Sequence, residues 1–146
     1  MKNIQIRFPA DFKFVPGVRT CVSKIAYNFG FDDREVYQIE TIVDEICNNA
    51  IEHGAEGEED SIFVECVFES DAIELTVKDS GRKNFNIEEV FARAEQMLKN
   101  EDFLKEILQR GKGLLIVKRL ADKIEVKVDE SGHVVRIIKR KRLEKE

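Results

Sequence analysis

Tryptophan is absent from this 146-residue sequence; proline and histidine occur twice each and cysteine three times. Each scarcity excludes something. The cysteines, Cys21, Cys47 and Cys66, are odd in number and far apart, which argues against a disulfide framework or a CxxC zinc site and fits a reducing compartment. His53 and His133 are too isolated to build a metal cluster, so the cysteines and histidines alike read as packing residues. No run reaches the roughly 18 apolar residues of a membrane span. The opening Met1-Lys2-Asn3-Ile4-Gln5 lacks the apolar stretch of a signal peptide, so a cytoplasmic location is expected. An excess of positive charge is missing too: the formal net charge is −5, which argues against direct nucleic-acid binding. The one basic block, Lys139-Arg140-Lys141-Arg142, runs into Glu144-Lys145-Glu146 and reads as a solvated, frayed tail. There is no repeat and no Pro/Gly/Ser-rich linker, so residues 1–146 read as one domain.

What is present is enough apolar residue, 42%, to bury a core. Ile4, Ile6 and Phe8 alternate with polar neighbours as a first strand. Pro16 opens a helical stretch through Val18, Cys21, Val22, Ile25 and Phe29 that Gly30 ends. Asp32 or Asp33 caps a second helix running to about His53 and stopping at Gly54. Residues 62–68 and 73–78 read as strands joined by a tight Ser70-Asp71 turn. Asn86 caps a helix to Leu98, residues 102–108 form another amphipathic piece, and 114–121 a short helix. Residues 124–128 and 133–138 close the chain as a hairpin. This order predicts an α+β fold: a two-layer sandwich whose mixed sheet carries helices on one face, the other face being solvated or covered by a partner. The long connection between Asp79 and Gly111 breaks the compact pattern, and residues 82–110 are expected to form a lid.

Three motifs can carry chemistry. On the second helix, Ile39, Ile42, Val43, Ile46 and Ala50 form one stripe, and Glu45 and Asn49, four apart, stack along its edge. An amide oxygen suits Mg²⁺, which takes few protein ligands, and a carboxylate one turn away can accept a proton. Asp79-Ser80-Gly81 follows a strand; an ionised Asp accepts hydrogen bonds, as from the exocyclic amine of adenine, and Gly81 admits a flat ring closely. Gly111-Lys112-Gly113 precedes the run Leu114-Leu115-Ile116-Val117, leaving amide donors and the Lys112 charge for phosphate. No GxxxxGK[ST] occurs. Taken singly, each motif has an ordinary reading: a solvated helix edge, a turn, a helix entry.

Together, in this order and spacing, they resemble the GHKL (histidine-kinase-like) ATPase superfamily, from about Pro16 to Ile138. The resemblance implies the Bergerat-type ATP-binding fold with ATP held between sheet-bound helices. Asp44-Glu45-Ile46-Cys47-Asn48-Asn49-Ala50-Ile51-Glu52-His53-Gly54 and the stretch from Arg110 to Asp122 look most like the bacterial anti-sigma-factor serine protein kinases. That likeness implies a protein serine kinase, an ATP-dependent phosphotransferase. It would phosphorylate an antagonist protein and regulate a sigma factor by partner switching, as a dimer. Carried over, Glu45 is the general base, Asn49 the Mg²⁺ ligand, Asp79 and Gly81 the adenine side, and Gly111, Lys112, Gly113 and Leu114 the phosphate loop. Two positions depart from the family pattern: Lys83 stands where a second glycine is common, and Leu108-Gln109-Arg110 offers no acidic partner for its arginine. A nucleotide-gated protein-binding module without kinase activity is the other reading.

Overall fold

A computed structural model of the chain describes residues 2–81, 87–97, 113–130 and 132–142. Strand β1 (Lys2–Pro9) leads through a 3-10 turn into helices α1 (Val15–Asn28) and α2 (Asp33–Asn49). A π-helical turn, Ala50–Gly54, then delivers the chain to β2 (Ser61–Phe68) and β3 (Ala72–Lys78). Helices α3 (Ile87–Met97) and α4 (Gly113–Leu120) precede the closing strands β4 (Lys123–Asp129) and β5 (Gly132–Arg140).

The five strands form one sheet in the order β1-β2-β3-β5-β4. All four pairings are antiparallel, where the element order suggested a mixed sheet. The reason is topological: β3 and β5 run oppositely although they are not consecutive, because the β4–β5 hairpin returns β5 against β3. Alternation then sorts the side chains. Ile62, Val64, Cys66 and Phe68 of β2, Ile73, Leu75 and Val77 of β3, and Val135 and Ile137 of β5 join one core with α1 and α2. The opposite face carries polar pairs. Arg136 bonds Glu74 and reaches Glu125 at 3.1 Å, and Gln5 donates to Glu65 at 2.9 Å.

Both long helices show why they form. In α1, Val15, Val18, Val22 and Ala26 recur every three or four residues and are buried, and Pro16 sits in the first turn, where its missing N–H costs nothing. In α2 a capping box closes the N-terminus: Glu35 N donates to Asp32 Oδ1 at 2.7 Å and Asp32 N to Glu35 Oε1 at 2.9 Å. The buried stripe of α2 includes Ile39, Ile42, Val43 and Ile46; each such side chain contributes about 1.5–3 kcal/mol by leaving water.

The basic block at 139–142 is not a loose tail. Lys139 Nζ donates to Leu120 O at 2.7 Å, placing a cation on the C-terminal carbonyls of α4. Lys141 Nζ bonds the carbonyls of Phe29 and Ser70 and lies over the Phe31 ring. Arg142 N donates to Glu35 Oε2 at 2.6 Å, so one carboxylate both caps α2 and holds the end of β5. A frayed reading fails because Lys139 and Lys141 meet carbonyls, and Arg140 and Arg142 meet carboxylates, that lie far away in sequence.

Candidate functional site

One end of the site is built on the flank of α2. Burying the stripe fixes the helix rotation, which leaves Glu45 and Asn49 half-buried at its edge. Burial first, and the neighbouring Asp44 carboxylate second, push the Glu45 carboxyl above its usual range. Asp44 is itself held by Arg19 at 2.8 Å, across from α1. Helix α4 closes on this edge. A Cβ added at Gly113 would lie 2.4 Å from Glu45 Oε2 and 3.2 Å from Glu45 Cβ, so a side chain there would have to push the Glu45 carboxylate aside. Leu114, Leu115 and Val117 are buried and anchor the helix. Its first-turn amides therefore begin beside a carboxylate that holds a proton more readily than usual.

The other end is the turn after β3. Asp79 Oδ1 accepts from Gly81 N at 2.7 Å and from His133 N at 3.2 Å, and His133 Nδ1 lies 2.9 Å away. The Asp79 and His133 side chains are only 6% and 3% exposed, so this is an enclosed arrangement and not a solvated turn. Gly81 has φ +62°, and a Cβ there would meet Gly132 Cα at 2.5 Å; glycine is needed both for the turn and for the approach of β5. Gly54 packs against the same carboxylate. A Cβ at Gly54 would fall 2.0 Å from Asp79 Oδ2. Ser80 Oγ lies 3.2 Å from Gly54 O and 3.3 Å from Asp60 Oδ2, which ties this turn to the loop after the π turn.

Helix α2 and its π turn thus join the two ends. Gly113 rests on Glu45 and Gly54 rests on Asp79, nine residues apart along that element and roughly 13 Å at 1.5 Å per residue. The edge between them carries Asn49. This arrangement offers a proton acceptor, an amide oxygen, a helix N-terminus and a held carboxylate along one line. Among the described residues no three His, Cys, Asp or Glu side chains cluster as a metal site. A cation here would rest on Asn49 and on groups brought by a ligand, which fits Mg²⁺ with its retained waters.

The sequence-derived residues divide accordingly. Glu45 and Gly113 meet, as do Asp79 and Gly81; Leu114 lies in the core, so only its backbone faces the helix entry. Gly111, Lys112, Lys83 and residues 108–110 lie outside the described residues, as does most of the expected lid; its helix α3 packs on β4 and α4. Sequence reasoning gives no site role to Gly54, which it reads as a helix stop and the end of the family-like phrase, or to His133, which it reads as packing. The signal for His133 lies in strand register: Lys78 pairs with Val134, which sets the next residue of β3's path, Asp79, opposite His133.

Residues 8–139 match the family of the histidine kinase-like ATPase domain. The chain is 29% identical over 138 residues to the serine-protein kinase RsbW of Halalkalibacterium halodurans, covering 94% of this chain and 83% of that one. With the RsbW of Bacillus pumilus it shares 26% over 147 residues, covering 93% and 84%. An anti-sigma F factor of Bacillus thuringiensis is 34% identical over 98 residues, covering 66% of this chain and 63% of that protein. In fold, the chain resembles a crystal structure of the RsbU and RsbW domains of a Mycobacterium tuberculosis protein, with TM-score 0.68 and 16% identity. That match covers 98% of this chain and 34% of the larger one. With a family match spanning residues 8–139, the chain belongs to the histidine kinase-like ATPases.

Proposed function

We propose that this protein binds Mg·ATP along the α2 edge and transfers a phosphoryl group to a serine of an antagonist protein, controlling a sigma factor by partner switching. The observation that carries the proposal is the double glycine seating: Gly113 on Glu45 at one end and Gly54 on Asp79 at the other. Phosphoryl transfer asks mainly for positioning and charge stabilisation. Asp79 would accept from the adenine amine beside Gly81, and the first amides of α4, with Gly111 and Lys112, would cradle phosphate oxygens. Asn49 would hold Mg²⁺, which would neutralise developing phosphate charge. Glu45, raised in proton affinity, would take the serine hydroxyl proton. The related proteins named as RsbW kinases and anti-sigma F factor support the choice of substrate and partners. Residues 82–110 are proposed to cover the bound nucleotide.

Three variants test this. Asp79→Ala should abolish ATP binding in isothermal titration, and Asn49→Ala should weaken only its Mg²⁺-dependent part. Glu45→Ala should still bind ATP yet transfer γ-phosphate label to a co-purified partner about 10²–10⁴-fold more slowly. A Glu45→Ala protein that transfers at the parental rate would sink the kinase assignment. Absence of ATP binding by the parent would sink the whole proposal.

A further inference from the structure

We propose that His133 is the positioning residue of the base pocket: by fixing Asp79 it makes the site selective for a 6-amino purine over a 6-oxo one. The inference rests on the reading of Asp79 as the adenine acceptor and adds to it a residue outside the three motifs.

An ionised carboxylate only accepts hydrogen bonds, so the 2.9 Å contact requires the proton to sit on His133 Nδ1. With the two backbone amides, that makes three donors converging on Oδ1. Among the described residues no donor reaches Oδ2, which faces Gly54. The carboxylate is therefore held in one rotation, with Oδ1 taken by those donors and Oδ2 on the Gly54 side. A 6-amino group donates to such an oxygen; a 6-oxo group sets a second acceptor against it and leaves both unpaired.

The ring has little freedom to do otherwise. Asp79 N donates to His133 O at 3.1 Å, continuing the β3–β5 ladder. A Cβ at Gly132 would fall 2.0 Å from Asp79 O, and φ there is +138°, so the backbone bringing His133 is pressed onto the turn that it braces. A buried imidazole in such a place could be filler. Filler would have no need to aim Nδ1 at Asp79.

The test is titration of ATP and GTP, each with Mg²⁺, into the full chain and its variants, with thermal unfolding as the folding control. His133→Leu keeps bulk and loses the donor. It should bind ATP about tenfold more weakly and GTP nearly unchanged, so the ATP-to-GTP ratio falls. His133→Asn places an amide N–H near the Nδ1 position and should restore the ratio to within about threefold. Should His133→Leu fail to fold, His133→Gln, whose amide reaches the Nε2 level instead, replaces it in the contrast with asparagine. Parental selectivity in the leucine or glutamine variant, or equal loss of both nucleotides, overturns the inference while the ATP site stands. A folded asparagine variant as unselective as leucine overturns it too. A parent that binds no ATP overturns the proposed function and this inference with it.

Discussion

Gly54→Ala is the sharpest perturbation available, because two arguments give it opposite signs. On helix propensity alone, alanine in a helical turn should stabilise by about 1 kcal/mol over glycine. The structure says otherwise. The added Cβ would lie 2.0 Å from Asp79 Oδ2 and 2.1 Å from its Cγ, and ordinary contact begins at 3.4 Å, so something must move by about 1.4 Å. A carboxylate at the end of a free side chain would move cheaply. This one is pinned through Oδ1 by Gly81 N, His133 N and the His133 ring. Hydrogen bonds to a charged group contribute about 1.5–3 kcal/mol each and do not add, so a net loss of roughly 2–4 kcal/mol is expected. At about 2–4 °C per kcal/mol for a chain of this size, the melting temperature should fall by roughly 5–15 °C. ATP affinity should drop at least about thirtyfold, since the displaced carboxylate no longer presents its oxygen. The decisive measurement is urea denaturation of a double-mutant cycle. In the Asp79→Ala background the clashing atoms are gone, so Gly54→Ala should cost less than about 1 kcal/mol there and could even stabilise. Equal cost in both backgrounds would refute the reasoning, as would a Gly54→Ala protein as stable as its parent.

Other consequences follow from individual contacts. The raised Glu45 carboxyl binds its proton more tightly folded than unfolded, so its contribution to stability is whole below the ordinary value of 4.5 and is lost as pH rises through the folded one. Glu45→Gln should therefore be more stable than the parent at about pH 7 and level with it near pH 4; a pH-independent difference in urea denaturation would contradict this. Lys141→Met removes bonds to Phe29 O and Ser70 O and should lower stability by about 1–2 kcal/mol, whereas a solvated tail would register no change. Lys118 pairs with Glu95 at 3.1 Å and lies over the Phe91 ring, so Lys118→Ala should speed amide exchange in α3 about two- to fivefold. Unchanged exchange would mean that α3 is held by other contacts.

What was legible in the sequence is what local periodicity encodes. The stripe from Ile39 to Ala50 announced α2, its rotation and therefore the shared edge of Glu45 and Asn49. Asp32 or Asp33 announced its start, which the structure puts at Asp32, and the Ser70-Asp71 turn announced the β2–β3 hairpin. What was not legible depends on tertiary closeness. Gly54 looks the same in one dimension whether it merely stops a helix or seats a carboxylate. The contact of Gly113 with Glu45 joins residues 68 apart, and only their placement on two packed helices brings them together. His133 needed the register of β5 against β3, a non-consecutive pairing. The basic block misled because repelling charges suggest solvent, while the carbonyls that attract them belong to distant turns.

The sheet order carries a consequence for biosynthesis. Strand β5 lies between β3 and β4, yet it leaves the ribosome after every other strand of the sheet. Until it emerges, β3 presents a bare edge of unpaired amides and carbonyls, the kind that recruits a neighbouring nascent chain. The same strand brings His133 to Asp79. A chain halted at any point before residue 132 therefore has an open sheet and an unbraced Asp79 at once. Incomplete products would be visible to chaperones and proteases through the exposed edge. Completion of the sheet and the bracing of Asp79 are one event.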